Sequence, residues 1–109
     1  MICGGDFNHD FVGNSKEIFN KEVPEQYLWA AAFPDELIPE HFNKEVDYAS
    51  GMTIPSCRNC DKPYNEDCFV LTVDGFITSD NIETTYMDVI DNQFEYSDHN
   101  PVEMIFRLK

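Results

Sequence analysis

The chain has 109 residues, of which 42% are hydrophobic and 14% aromatic, so its composition favours one small globular domain and argues against disorder. Its 21 Asp and Glu against 7 Lys and Arg give a formal net charge of -14, which disfavours sequence-independent nucleic-acid binding by the chain alone. No run reaches the roughly 18 apolar residues that a membrane-spanning helix needs, and no signal peptide or other address is evident.

Residues 2–7 are predicted to form the end of a buried strand, in which Gly4 and Gly5 allow a turn or a close approach to a neighbouring segment. Asp6 and Asn8 follow one residue apart, which places both side chains on the same side of an extended chain. Short polar side chains at a strand end are well placed to reach a ligand, although the same pair is common in turns and helix caps.

A short helix is predicted over residues 15–22, with Asn14 as its N-cap, Glu17 three residues further on, and Pro24 beyond its end. A second brief helix is predicted directly after Pro34, in a sequence rich in acidic residues. Both helices are too short to dominate the fold.

The middle of the chain carries weaker signals. Residues 27–33 are apolar, but the segment is too short for its periodicity to separate strand from helix. A long ordered loop is predicted at about residues 41–67, where Asn, Asp, Pro and Ser are frequent. Arg58 and Lys62 are basic residues of this loop, and Arg58 is interpreted either as a phosphate ligand or as a partner in a surface salt bridge.

Three cysteines, Cys57, Cys60 and Cys68, lie in the same stretch with the spacing C-x2-C-x7-C. This spacing permits a zinc site, a disulfide or free thiols, but Cys3 and His41 are unconvincing as a fourth zinc ligand. We expect unpaired thiols, and the redox compartment stays open.

The last third of the chain contains three β-rich segments separated by polar turns, at residues 68–78, 82–90 and 102–108. In the third segment, Glu103 and Arg107 alternate with apolar residues. This alternation predicts a strand with one buried face, formed by Val102, Met104, Phe106 and Leu108.

Asp74 places one carboxylate in the otherwise apolar segment 68–78. An ionised carboxylate is costly to bury unless it is paired, and His99, next to Asp98, is the economical partner. An imidazole exchanges a proton near neutral pH, and a facing carboxylate fixes its tautomer. The alternatives are that Asp74 and Gly75 mark a bulge or hairpin bend, and that residues 97–100 are only a polar turn.

Three segments in this order resemble the C-terminal motifs of the deoxyribonuclease I-like endonuclease/exonuclease/phosphatase superfamily: Gly5-Asp6-Phe7-Asn8, Asp74-Gly75-Phe76-Ile77-Thr78-Ser79 and Ser97-Asp98-His99-Asn100-Pro101-Val102. The resemblance implies an α/β fold, with residues 1–109 as the C-terminal portion of a two-sheet α/β sandwich of mostly antiparallel strands with short helices. It also implies hydrolysis of phosphoester bonds with Mg²⁺ or Mn²⁺.

The resemblance implies a role for each matching residue. Asp6 would position or activate the attacking water, and Asn8 would bind the scissile phosphate and the metal site. Asp98 would contribute to the metal site. His99 would contact the phosphate and transfer a proton or stabilise charge, with Asp74 as its orienting carboxylate.

The superfamily takes its metal-binding glutamate, and usually a second catalytic histidine, from a half that lies upstream of these motifs, and no glutamate in this chain has a matching context. We therefore expect these 109 residues to be the C-terminal part of a parent enzyme, to have little or no activity alone, and to self-associate through an exposed apolar sheet face. Acidity favours small phosphoesters over duplex nucleic acid as substrates. The alternative is a non-catalytic binding or interaction module on the same scaffold, possibly binding metal through Cys57, Cys60 and Cys68.

Overall fold

The computed structural model describes residues 1–46, 54–60 and 63–109. These residues form three small sheets of antiparallel strands and only short helices. The mostly antiparallel strands and the short helices that the resemblance implies are therefore confirmed. The strands are β1 (Ile2–Asp6), β2 (Phe42–Glu45), β3 (Cys57–Asn59), β4 (Phe69–Leu71), β5 (Asp74–Ser79), β6 (Ile82–Val89) and β7 (Val102–Leu108), and the helices are α1 (Ser15–Phe19) and the 3₁₀ turns Glu25–Tyr27 and Asp35–Leu37. None of the helices in the described ranges has the length and apolar character to span a membrane.

The first sheet has β5 in the middle, with β1 and β2 antiparallel on either side of it. Two glycines allow its tight packing. A Cβ at Gly75 would come within 2.5 Å of the Phe11 ring, and a Cβ at Gly4 within 2.6 Å of the Phe76 ring. The close approach predicted at Gly4 is therefore confirmed.

The predicted strand 68–78 is in fact two strands, β4 and β5, which belong to different sheets. The chain is diverted between them, where the carbonyl of Thr72 accepts from Phe11 N–H and that of Val73 accepts from Phe7 N–H, both at 2.8 Å. Hydrophobicity is continuous across this break because both strands line the interior. The core around it contains Phe19, Cys57, Phe69, Val70, Leu71, Val73 and Phe94.

The prediction of a loop at residues 41–67 is wrong in two places, because this segment contains the strands β2 and β3. Neither strand has a strong sequence signal, since β2 reads FNKE and β3 reads CRN. Each is a strand because β5 or β4 lies beside it, not because of its own composition. Residues 47–53 and 61–62, including Lys62, lie outside the described residues.

Helix α1 begins where the sequence predicts but ends at Phe19 instead of residue 22, because Asn20 adopts a left-handed conformation with φ of 53°. The capping interaction also differs from the prediction. Asp10 accepts hydrogen bonds from the backbone N–H groups of Gly13 and Ser15, each at 3.0 Å, whereas the side chain of Asn14 makes no capping hydrogen bond. The second predicted helix is the 3₁₀ turn Asp35–Leu37.

Strands β6 and β7 form an antiparallel pair with a bulge at Thr85. Val102 and Met104 are half-buried, but Phe106 is 44% exposed and Leu108 is 70% exposed. The predicted burial of this face therefore fails for its outer half.

Candidate active site

Asp6 and Asp74 are brought together by the first sheet. They are directly opposite each other in the register of β1 and β5, because Ile2 pairs with Thr78 and the antiparallel ladder runs without interruption to its end. Like charges directly across a sheet destabilise it unless something compensates them. The two strand ends therefore form a site that favours a cationic partner.

His99 supplies that partner. Its Nδ1 lies 2.7 Å from Oδ2 of Asp74, the contact that the sequence predicts. An ionised carboxylate only accepts hydrogen bonds, so Nδ1 carries the proton and Nε2 is left to exchange one. The alternative of a bulge or hairpin bend at Asp74 and Gly75 is wrong, because both residues pair in regular register within β5, and β4 and β5 lie in different sheets.

The backbone around His99 is held against β3. His99 itself forms an isolated bridge with Cys57, and the carbonyl of Asp98 accepts from the N–H of Arg58 at 2.9 Å. On the next residue, Asn100 N–H donates to the carbonyl of Ser56 at 2.8 Å. Three successive residues are thus held by β3, which the sequence did not predict, and by Ser56 directly before it.

Two buried polar residues complete this support. The hydroxyl oxygen of Ser56, which is fully buried, accepts from the N–H groups of Val73 and Asp74 at 3.0 and 3.1 Å. Asn100 donates from its side chain to the carbonyl of Pro55 at 2.9 Å. The role of Ser56 was not predicted, because no motif surrounds it in the sequence. Asn100 belongs to the segment Ser97-Asp98-His99-Asn100-Pro101-Val102, but the resemblance does not imply this contact.

The Nε2 side of His99 faces two further carboxylates. Oδ2 of Asp6 lies 3.9 Å from Nε2, and Oδ1 of Asp98 lies 4.0 Å from it. The thiol of Cys57 is also near, with Sγ at 3.9 Å. The structure therefore gathers Asp6, Asp74 and Asp98 around the imidazole of His99.

The pKa values in this group reflect burial and negative charge. Burial raises the pKa of Asp74 above its usual value, and hydrogen bonds from His99 and Ser56 offset only part of the rise. Burial lowers the pKa of His99, but the hydrogen bond and charge of Asp74, together with the charges of the other two carboxylates, outweigh it, so that the net shift is upward. The site favours the protonated imidazole.

Cys57 is not a reactive thiolate. Burial, followed by the charges of Asp74, Asp98 and Asp6, raises its pKa to about 12. At neutral pH its side chain is a buried thiol that packs beside His99.

Asn8 contacts the carboxylates around His99 through its backbone, since its N–H donates to Oδ1 of Asp6 at 2.8 Å. The chain is not extended there, because Asn8 has a φ of 52°, so the geometry assumed in placing the side chains of Asp6 and Asn8 together is wrong. The bond leaves Oδ2 of Asp6 directed at His99. Beyond it, His9 Nδ1 lies 2.9 Å from the carbonyl of Phe7, and the buried Asp10 caps α1, so Asp10 is a structural residue.

Arg58 lies at the border of the group. Its Nη1 donates to the carbonyl of Cys60 at 3.0 Å, so its guanidinium is held by a neighbouring loop. It also lines an open cavity of about 760 Å³, together with Asp98, Tyr64 and Phe94. The cavity adjoins His99 through Asp98.

The cysteine cluster contains a disulfide between Cys60 and Cys68, whose Cα atoms are 5.5 Å apart. The expectation of unpaired thiols is therefore wrong for these two residues, while Cys3 and Cys57 are free. Disulfide-bonded sulfurs offer no thiolate to a metal. The metal site through Cys57, Cys60 and Cys68 that the spacing left open is not formed.

A divalent cation fits the aspartate and histidine group. Donor atoms of Asp6, Asp74 and His99 lie within 4.8 Å of one another, and Asp98 adds a carboxylate beside Nε2. Mg²⁺ and Mn²⁺ prefer oxygen ligands such as these carboxylates. The facing acids Asp6 and Asp74 supply the negative charge that a divalent-cation site requires.

No protein-family model, curated protein or solved structure matches this chain. A function for this chain can therefore be inferred only from the geometry of the site and the order of its motifs.

Proposed function

We propose that this chain carries the phosphate-binding and proton-transfer side of a divalent-metal-dependent phosphoester hydrolase, on the C-terminal portion of a deoxyribonuclease I-like two-sheet sandwich. The observation that carries the proposal is the Asp74–His99 pair, whose outward Nε2 faces the carboxylates of Asp6 and Asp98. A half-buried ion pair that only stabilised the fold would have no need of two more acids on its open side.

Each side chain has a task that its position favours. Asp74 holds the imidazole in one tautomer, as the short Nδ1 contact requires. His99 then presents a proton at Nε2 to a phosphate oxygen or a leaving oxygen. Asp6, whose Oδ1 is anchored by the N–H of Asn8, presents Oδ2 on the same side and positions the attacking water.

Asp6 and Asp98 would hold Mg²⁺ or Mn²⁺, with Asn8 added by the resemblance. When bound, the ion neutralises phosphate charge, which lets a chain of net charge -14 accept an anionic substrate. Arg58, on the wall of the adjoining cavity, would bind the phosphate or the group attached to it. The substrate is a small phosphoester in preference to duplex nucleic acid.

Hydrolysis of bis-p-nitrophenyl phosphate by the full-length parent protein, measured with Mg²⁺ or Mn²⁺ and again after EDTA, tests the proposal, because the 109 residues alone are expected to have little or no activity. His99→Gln should lower kcat by roughly 10² to 10⁴, the range of a general acid or base. His41→Gln is the matched control, because His41 makes a similar contact with Asp80 at 2.9 Å, but on the exposed surface. Arg58→Ala should raise KM.

Metal binding gives a second readout that does not require turnover. Mn²⁺ should broaden the imidazole NMR signals of His99 before those of His41, and Asp6→Asn with Asp98→Asn should remove the effect. Hydrolysis that survives EDTA or His99→Gln would contradict the proposal. Equal broadening of both histidines, with no hydrolysis, would favour a non-catalytic module instead.

A further inference from the structure

The outer edge of β7 is available for pairing. Within the described residues β6 and β7 form a sheet of two strands, so β7 has a strand neighbour on one side only. The carbonyl of Pro101 accepts from Ile90 N–H at 2.8 Å, and that of Ile105 accepts from the Thr85 hydroxyl at 3.2 Å, so both face β6. Backbone groups alternate in direction along an antiparallel strand. Those directed away from β6 therefore belong to Val102, Met104, Phe106 and Leu108.

This edge is also apolar and exposed. Ile105 is 53% exposed, Phe106 44% and Leu108 70%. Natural proteins usually protect such an edge with charges, proline or a covering segment, because it is a template for another strand. The strand contains no proline, and its charged residues are Glu103 and Arg107, which have opposite signs.

We propose that a second copy of this chain pairs with this edge, antiparallel, about a two-fold axis at Ile105. In that register Met104 lies opposite Phe106 of the second copy and Val102 lies opposite Leu108. Glu103 lies opposite Arg107 of the second copy, and the same pair recurs on the other side of the axis. The two sheets become one continuous sheet with an isologous interface.

The hydrogen-bond directions agree with this register. Met104 and Phe106 direct their backbone groups outward, so they form hydrogen-bonded pairs across the axis. Glu103 and Arg107 then occupy a non-hydrogen-bonded pair, where side chains of facing strands come closest. The charged groups therefore meet at the positions best suited to an ion pair.

The charges within one chain give a reason for the pairing. In the β6–β7 register Glu103 lies opposite Asp88, so two acids face each other, and Arg107 is bound to Glu83 at 2.6 and 3.0 Å. An arginine from a second copy would compensate the Asp88–Glu103 pair. A guanidinium has five N–H donors, so Arg107 would bind Glu83 and the facing Glu103 together.

The pattern favours a second copy over an unrelated strand because it is self-complementary about Ile105. Apolar residues face apolar residues and acid faces base only when the axis passes through that residue. Moving the axis to Met104 places Glu103 opposite Ile105, and moving it to Phe106 places Arg107 there. The charge pairs therefore specify both the partner and the register.

Sedimentation velocity of the whole 109-residue chain, over a concentration series at near-physiological salt, tests the proposal. Such salt limits the repulsion between two chains of net charge -14 to about 8 Å. A concentration-dependent dimer is expected. Glu103→Arg and Arg107→Glu should each weaken it by about tenfold or more, since each replaces two attractive cross-strand pairs by two repulsive ones.

Mixing Glu103→Arg with Arg107→Glu tests the register directly. One variant then presents Arg at both positions and the other presents Glu at both, so the mixture should form a heterodimer at least as stable as the wild-type dimer. Glu25→Arg, an exposed charge reversal in the 3₁₀ turn Glu25–Tyr27, should leave dimerisation unchanged. A monomeric wild type overturns the proposal, as does a dimer that the single variants do not weaken or that the mixture does not restore. Far-UV circular dichroism confirms that each variant is folded.

Discussion

Asp6 and Asp74 lie directly opposite each other at the ends of β1 and β5, and His99 contacts both, at 3.9 Å and 2.7 Å respectively. Two facing acids at the end of a ladder are unfavourable by themselves. The imidazole relieves the repulsion between the two acids. The same two carboxylates act to raise the pKa of His99.

The pKa of His99 depends on Asp74. It is raised despite burial, chiefly by the hydrogen bond with that carboxylate. Asp74→Asn should therefore lower the pKa of His99 toward or below its usual value, because burial then acts with less opposition. Titration of the imidazole signals by NMR measures this change. Asp80→Asn, which alters the exposed pair with His41, is the control and should leave His99 unchanged.

Stability should fall as pH rises through the titration of His99. Because the pKa of His99 is raised in the folded state, its contribution is complete below the unfolded value of about 6.5 and is lost as pH increases through the folded value. The urea midpoint should therefore decrease as pH rises above about 6.5. In His99→Gln this decrease should be smaller; the same slope in both proteins would show that His99 is not the group responsible.

The Cys60–Cys68 disulfide should stabilise the fold by closing a short loop. The two residues are separated by 8 positions, and a loop of that size predicts a loss of about 2–3 kcal/mol on removal. Urea unfolding of Cys60→Ser with Cys68→Ser, compared with the parent chain, measures the loss. Cys3→Ser replaces an exposed free cysteine and should have little effect. Equal stability of all three chains would mean that the disulfide does not form.

Asp10 should be important for stability and not for chemistry. It is buried, and its two oxygens accept the N–H groups of Gly13 and Ser15 at the start of α1. Asp10→Ala should cost about 1–3 kcal/mol, since both donors lose their partner. Glu17→Ala, at the exposed capping-box position, should cost much less. Thermal unfolding of the two variants measures both losses. A larger loss in Glu17→Ala than in Asp10→Ala would support the capping interaction that the sequence predicts, with Asn14 and Glu17.

The contact between Asp74 and His99 was predictable, because it follows from the cost of burying an unpaired charge. An isolated carboxylate in an apolar segment needs a partner, and His99 was the economical choice before any coordinates. Roles in phosphoester hydrolysis stay predictions for Asp6, Asn8, Asp74, Asp98, His99 and Arg58, because contacts establish proximity and not turnover.

The remainder depends on neighbours that are distant in the chain. Ser56 supports Asp74 from 18 positions away, and its own surroundings in the sequence carry no signal. Strands β2 and β3 have polar sequences that become strands only beside β5 and β4. Local pattern also misses the division between β4 and β5, since an apolar run looks the same whether it lines one sheet or two.

The sequence by itself determined the local elements and the chemical need: the strands β6 and β7, the turn after β1, and a carboxylate that requires an imidazole. Periodicity and burial cost are properties of short segments, so they can be read without a fold. Only the tertiary structure decided that Asp6 faces Asp74, that Cys60 pairs with Cys68, and that β7 has one unpaired edge among the described residues. Each of these depends on which distant segments lie side by side, and the chain order alone does not specify that.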